Sequence, residues 1–176
     1  MRLFYLDESG FSPSLPTGYS WCLPKQRKRV RYEYPQGRRV NALATYEPLA
    51  PAPGLDAVPF ERTLTSDDLL AYLRDRLPAA GVPRVVVLDN AGIHTSKVVK
   101  AARPGLAKQG IYLYYLPPYS PELNRIEPVF KQVKHHDMPT RSFTSKADLR
   151  AAVEAGFEAY HPRLRPKGYN PLRLAA

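Results

Sequence analysis

The chain has 176 residues, 26 Lys plus Arg against 16 Asp plus Glu, a formal charge of +10, and one cysteine, Cys22. That length suits a single domain over residues 1–176 with a self-sufficient core. One thiol excludes an internal disulfide or a thiolate metal cluster, and no apolar run approaches the roughly 20 residues of a membrane span, so a soluble, cytoplasmic protein is expected.

In chain order, Leu3 to Leu6 reads as a strand ending at Asp7-Glu8-Ser9-Gly10. Runs around Tyr19 to Leu23 and Arg39 to Tyr46, rich in Val, Leu, Thr and aromatics, read as two further strands, with Gly18 and Gly37 as turn residues. The prolines of "EPLAPAPGLDAVP", Glu47 to Pro59, cannot donate to a central ladder, so this stretch is expected to be loop or an irregular edge. Ser66 with Asp67 and Asp68 starts a helix whose apolar stripe is Leu69, Leu70, Leu73 and Leu77, closed by Pro78. Val85 to Leu88 is β-branched and apolar on both faces, the pattern of a strand covered from both sides in a parallel part of a sheet. A helix from Ser96 to about Leu106 and a strand from Ile111 to Leu116 follow. Ser120-Pro121 is expected to open a helix with Leu123, Ile126, Phe130 and Val133 buried, and Ser145 with Asp148 to cap a last helix reaching toward Tyr160.

Three strands, then helix, strand, helix, strand and two helices describe an α/β fold: a mixed five-stranded sheet flanked by helices. This order suits a ribonuclease-H-like architecture. A doubly wound dinucleotide fold would need helices between its first strands and a Gly-rich first turn.

Asp7 and Asp89 each follow an otherwise apolar strand. If those strands are parallel neighbours, their carboxylates converge beyond the carboxyl ends, where ligands of open α/β sheets bind. Converging anions raise each other's pKa unless a cation lies between them, and hard oxygen donors suit Mg²⁺ or Mn²⁺. The competing reading is that each Asp makes a local turn or cap. Glu122 is explained by the positive end of a helix alone, whereas Glu127 borders an apolar face, with Lys131 as its possible i+4 partner.

The segment Lys25 to Arg39 holds seven bases, Lys25, Arg27, Lys28, Arg29, Arg31, Arg38 and Arg39, and one acid, interleaved with Tyr32 and Tyr34. Such a mixture suits phosphate neutralisation with stacking, so DNA is the expected partner; a solvated basic loop is the alternative. Trp21 reads as core, and His135 and His136 as solvated.

"FYLDESGF", "VLDNAGIHTS" and "LPPYSPELNRIEPVFKQVK" resemble the catalytic blocks of the mariner-like DDE transposases, in their bacterial insertion-sequence branch. The likeness extends to "GYSWCLP" and "RRVNALATYEP", and 37 residues separate Asp89 from Glu127. The resemblance implies a ribonuclease-H-like fold, metal ligation by Asp7, Asp89 and Glu127, two divalent ions (Mg²⁺ or Mn²⁺), and DNA hydrolysis followed by strand transfer. It puts a histidine at position 94, able to bond a carboxylate or the scissile phosphate, and sets Glu122 outside the ligand set. Asn90 is expected to support the acids or make the turn, and "PPYSP" to aim Glu127, with DNA contact as a second possibility.

Such transposases carry helix-turn-helix modules ahead of the catalytic domain. Here the first strand begins two residues after Met1, and "HPRLRPKGYNPLRLAA" reads as a basic, proline-broken tail, so an N-terminal DNA reader is expected to be absent or supplied by a separate chain. A homodimer is the expected active form. A stand-alone nuclease of the same fold and an inactive DNA-binding remnant are the alternatives.

Overall fold

The computed structural model describes residues 1–14, 22–26, 39–77 and 81–165. Strands β1 (Arg2–Phe11), β2 (Val40–Glu47), β3 (Gly54–Phe60), β4 (Arg84–Leu88) and β5 (Ile111–Tyr115) form one five-stranded sheet in the order β3-β2-β1-β4-β5. The first three strands are an antiparallel meander; β4 runs parallel to both β1 and β5. The expected mixed sheet is therefore present, with Val85 to Leu88 in its parallel part. Gly54–Phe60 is a regular strand, so of the two expectations for this stretch the loop fails and the edge holds. It lies at the sheet edge, where Pro59 sits opposite Ala42 and no central ladder is asked of its missing N–H. The expected strand around Tyr19 falls largely outside the described residues, as does Trp21; Cys22 and Leu23 are exposed and not in a strand.

Alternation along β1 sorts its residues between two cores. Phe4 and Leu6 join Leu43, Val86 and Leu88 beneath α1 (Ser66–Asp75) and α3 (Lys97–Lys108). Phe11, with Ala42, Ala44 and Tyr46, packs on the other face beneath α4 (Glu127–Gln132) and α5 (Lys146–Tyr160). Helix α1 starts at Ser66 as expected, and Thr65 is its cap, accepting from the Asp68 N–H while the Asp68 carboxylate takes the Thr65 N–H. Ser145 caps α5 as expected. None of the described helices is long and apolar enough to cross a membrane.

The largest departure concerns the helix expected from Ser120. Pro121–Leu123 forms a single 3₁₀ turn, Asn124 is extended, and α4 begins only at Glu127, running into a π turn at Val133–Asp137. Pro128 explains the shift, because a proline lacking its N–H is tolerated in a first turn and not in the second. The apolar stripe is split accordingly. Ile126, Phe130 and Val133 are buried, while Leu123 is 47% exposed.

This split yields a prediction. Phe130 is 2% exposed and meets Phe157 edge-on, with ring centroids 6.1 Å apart. Phe130→Ala is expected to cost about 3–5 kcal/mol in urea unfolding, and Leu123→Ala no more than about 0.5 kcal/mol. Similar losses for both would restore the continuous helix.

Candidate active site

The parallel ladder of β1 and β4 ends at Tyr5 opposite Val87. Two residues further on each strand, in the same register, stand Asp7 and Asp89. Only Asp89 follows the end of its strand. Asp7 lies inside β1, because β2 continues to pair with that strand as far as Phe11 opposite Val40 after β4 has turned away. At the turn, Asp89 Oδ1 accepts the Ala91 N–H at 2.9 Å, so this acid makes the local turn as well as facing the site.

Asp7 is 6% exposed. Its Oδ1 accepts the Glu8 N–H at 2.8 Å and its Oδ2 accepts from Asn124 Nδ2 at 3.0 Å. Burial, then the charge of Asp89, with smaller contributions from Glu8 and Glu127, pushes the Asp7 carboxyl up to about 7 against the pull of the Glu8 N–H. Asp89 moves the other way: its hydrogen bond with His94 holds it below the ordinary carboxylate value despite partial burial.

His94 belongs to a single helical turn, α2 (Gly92–Thr95), and is wholly buried. Its Nδ1 lies 2.6 Å from Asp89 Oδ1, and its Nε2 lies 2.9 Å from Glu8 Oε2, outside hydrogen-bond alignment. Burial by itself would lower the imidazole pKa. Asp89 and Glu8 together outweigh it and lift the group to about 9, so His94 is a buried cation joining the β4 turn to β1. Shut away from solvent, it contacts carboxylates and is not open to a phosphate. The donor atoms of Asp7, Glu8 and His94 lie within 4.8 Å of one another.

Glu127, first residue of α4 and exposed, lines the same cavity as Asp7, Asp89 and Asn124, with a volume of about 440 Å³. Asp7 and Glu127 approach from the α4 face of the sheet, Glu8 and His94 from the α1 face, and Asp89 stands between them. Glu122 is exposed on the 3₁₀ turn and is not part of the cavity wall. Asn90 lines the cavity and donates from Nδ2 to the Leu116 carbonyl at 2.6 Å, tying the β4 turn to the end of β5. The outer wall is the Pro117–Pro121 loop, where Tyr119 is fully exposed with φ 57°.

Of the basic residues singled out in sequence, Lys25 and Arg39 are described and exposed; Arg27, Lys28, Arg29, Arg31 and Arg38 lie outside the described residues. Arg39 lies across Gly10 and is close enough to Lys134 to influence it. Sequence reading missed Lys134, which is half-buried, donates to Ser9 Oγ at 2.6 Å, and feels the charges of Glu127 and Asp7. It also missed Glu8 and Asn124. For Asn124 a signal was available in "ELNRIE": a small amide among residues of an apolar stripe is a buried polar group in need of a partner. His135 and His136 are exposed, as expected.

Three carboxylates around one cavity, all oxygen donors and mutually repulsive when ionised, have the chemistry of a site for a hard divalent cation. Without such a cation, ionising Asp7 costs stability. A carboxyl held near 7 when folded and near its ordinary value when unfolded lowers stability as pH rises from about 4 to about 7. Relative to wild type in chelator, Asp7→Asn should therefore gain melting temperature progressively across that window, with no further gain above about pH 8. A difference independent of pH would show that Asp7 ionises freely.

The chain's layer order and strand connections are shared by solved transposases. It is similar to the Mos1 mariner paired-end complex with Mg (17% identity, TM-score 0.62, covering 93% of this chain and 50% of that one). It is also similar to the Mos1 strand transfer complex (17%, TM-score 0.60, 90% and 47%) and to the catalytic domain of Mos1 mariner transposase (15%, TM-score 0.55, 90% and 70%). At these identities the likeness shows the fold, which is ribonuclease-H-like, and the chain spans about half the length of the chains in the two complexes. No curated protein sequence matches the chain significantly. The sequence itself is matched by the family model of the DDE superfamily endonucleases over residues 2–150, a span that contains every acid lining the cavity, and the chain belongs to that family.

Proposed function

We propose that the chain is the catalytic domain of a metal-dependent DNA transposase, which cuts phosphodiester bonds at the ends of a mobile element and joins the freed ends to target DNA. The observation that carries this reading is the meeting of Asp7, Asp89 and Glu127, from β1, the β4 turn and α4, at one cavity. Family membership supports it, as does the likeness to complexes named for paired ends and strand transfer.

Asp7, Asp89 and Glu127 would hold Mg²⁺ or Mn²⁺, two ions in this reading. When bound, such ions polarise a phosphoryl oxygen and make a water or hydroxyl nucleophilic near neutral pH. The remaining work belongs to the chain. His94, bonded to Asp89 Oδ1, keeps that carboxylate turned to a fixed orientation. Lys134 and Arg39 place positive charge beside the acids, where a DNA phosphate would otherwise be repelled. The basic segment Lys25 to Arg39, through Lys25, Arg27, Lys28, Arg29, Arg31, Arg38 and Arg39, extends that attraction along the backbone of the element's end. Tyr119, held in left-handed backbone at the cavity mouth, presents its ring for stacking against a base next to the scissile phosphate. Hydrolysis and strand transfer use the same acids, since only the nucleophile changes from water to a DNA 3′-hydroxyl.

The partners in this reading are transposon ends and target DNA in the bacterial cytoplasm. A second copy of the chain would hold the other end, and a helix-turn-helix part would supply recognition of the terminal repeats.

Mg²⁺-dependent nicking of a duplex is expected to fall by about a hundredfold or more in Asp89→Asn with folding intact, and by about 10- to 100-fold in His94→Ala. Nicking that survives Asp89→Asn unchanged sinks the assignment. With a pre-cleaved end as substrate, joined products distinguish a transposase from a stand-alone nuclease of the same fold, which yields cleavage alone. Tyr119→Ala should raise the DNA concentration needed for half-saturation by about fivefold or more, the loss of one stacking contact of about 1 kcal/mol, with the rate at saturating DNA little changed.

A further inference from the structure

Three residues, Asn124 to Ile126, carry the chain from the 3₁₀ turn into α4, and the backbone of the first of them bonds to both elements. The Asn124 N–H donates to the Pro121 carbonyl at 2.9 Å, and the Asn124 carbonyl accepts the Glu127 N–H at 3.1 Å. The side chain turns inward and is 1% exposed. Its Nδ2 donates to Asp7 Oδ2 at 3.0 Å, across 117 residues of sequence, while its Oδ1 is buried with no hydrogen-bond partner.

An amide oxygen buried without a partner among the described residues is destabilising. Packing does not account for it, because leucine fills a similar volume without stranding a polar atom. The donor end does. An ionised Asp7 accepts only, and its other oxygen already takes the Glu8 N–H, so the amide must face the carboxylate with its NH₂. With one N–H on each oxygen, the plane of the Asp7 carboxylate is fixed and its remaining lone pairs are left for the cavity it lines.

We propose that Asn124 is a positioning residue: a strut whose side chain orients Asp7 and whose backbone anchors the first residue of α4, so that two acids from distant parts of the chain keep a set relation around the cavity. This rests on the reading of Asp7, Asp89 and Glu127 as the ion-holding set. It assigns Asn124 no contact with DNA or with the reacting atoms; it acts through Asp7.

The test is direct Mn²⁺ binding to the full chain, followed by electron paramagnetic resonance of the free ion, in wild type, Asn124→Ala, Asp7→Asn and the double variant. Loss of a partner that orients a ligand weakens ion affinity about tenfold or more, and that loss is expected for Asn124→Ala while its circular dichroism matches wild type. In the Asp7→Asn background, Asn124→Ala should have no further effect, because the strut then has no carboxylate to orient. Should Asn124→Ala not fold, Asn124→Ser takes its place, its hydroxyl being too short to reach Asp7, with the same two outcomes expected. Wild-type affinity in the folded single variant, or a full additional loss in the double variant, overturns the proposal while leaving the ion site standing. Wild-type affinity in Asp7→Asn itself overturns the ion-site reading, and the strut with it.

Discussion

The structure turns on one electrostatic constraint: a carboxylate, Asp7, is buried in the middle of a β-strand with other carboxylates close by. Burial and the charge of Asp89 both oppose its ionisation. A stable core would normally exclude such a group, or neutralise it with a lysine or arginine. Here the direct hydrogen bonds come from two neutral N–H donors, of Glu8 and Asn124, which orient the group without cancelling its charge, while Lys134 acts on it through space.

The nearest buried cation, His94, is spent elsewhere. It lies between Asp89 and Glu8 on the α1 side of the sheet, whereas on the α4 side Asp7 and Glu127 feel the more distant charge of Lys134. That asymmetry follows from strand alternation. Asp7 and Glu8 are adjacent and therefore point to opposite faces, one toward the cavity and the other toward the histidine. A one-residue slip in the pairing of β1 would exchange them, and the large buried side chains on both faces forbid it.

Much of this was legible in sequence because the signals are local. The β-branched run before Asp89 reads as a buried parallel strand, the acids after Ser66 as a helix start, and the alternation of strands and helices as a mixed sheet. The errors are local signals overruled by tertiary partners. The prolines around Gly54 argue for a loop or an irregular edge; the edge holds, but pairing with β2 makes the strand regular. The apolar spacing from Leu123 to Val133 argues for one helix, and Pro128 moves the start to Glu127, leaving Leu123 outside. Asp7 is not the end of its strand, since β2 keeps the chain extended where β4 no longer pairs.

By itself the sequence determined which residue types would meet: apolar runs that lead into acids, and a third acid beside a proline turn. Those features depend on neighbours a few positions away. The tertiary structure alone decided that Asp7 and Asp89 share a register, that Glu127 lines the same cavity, and that His94 and Asn124 serve as their partners. The bond from Asn124 to Asp7 joins residues 117 positions apart, and no periodicity in a chain encodes a hydrogen bond across that distance; it is set when the packed elements of one sheet bring the segments together.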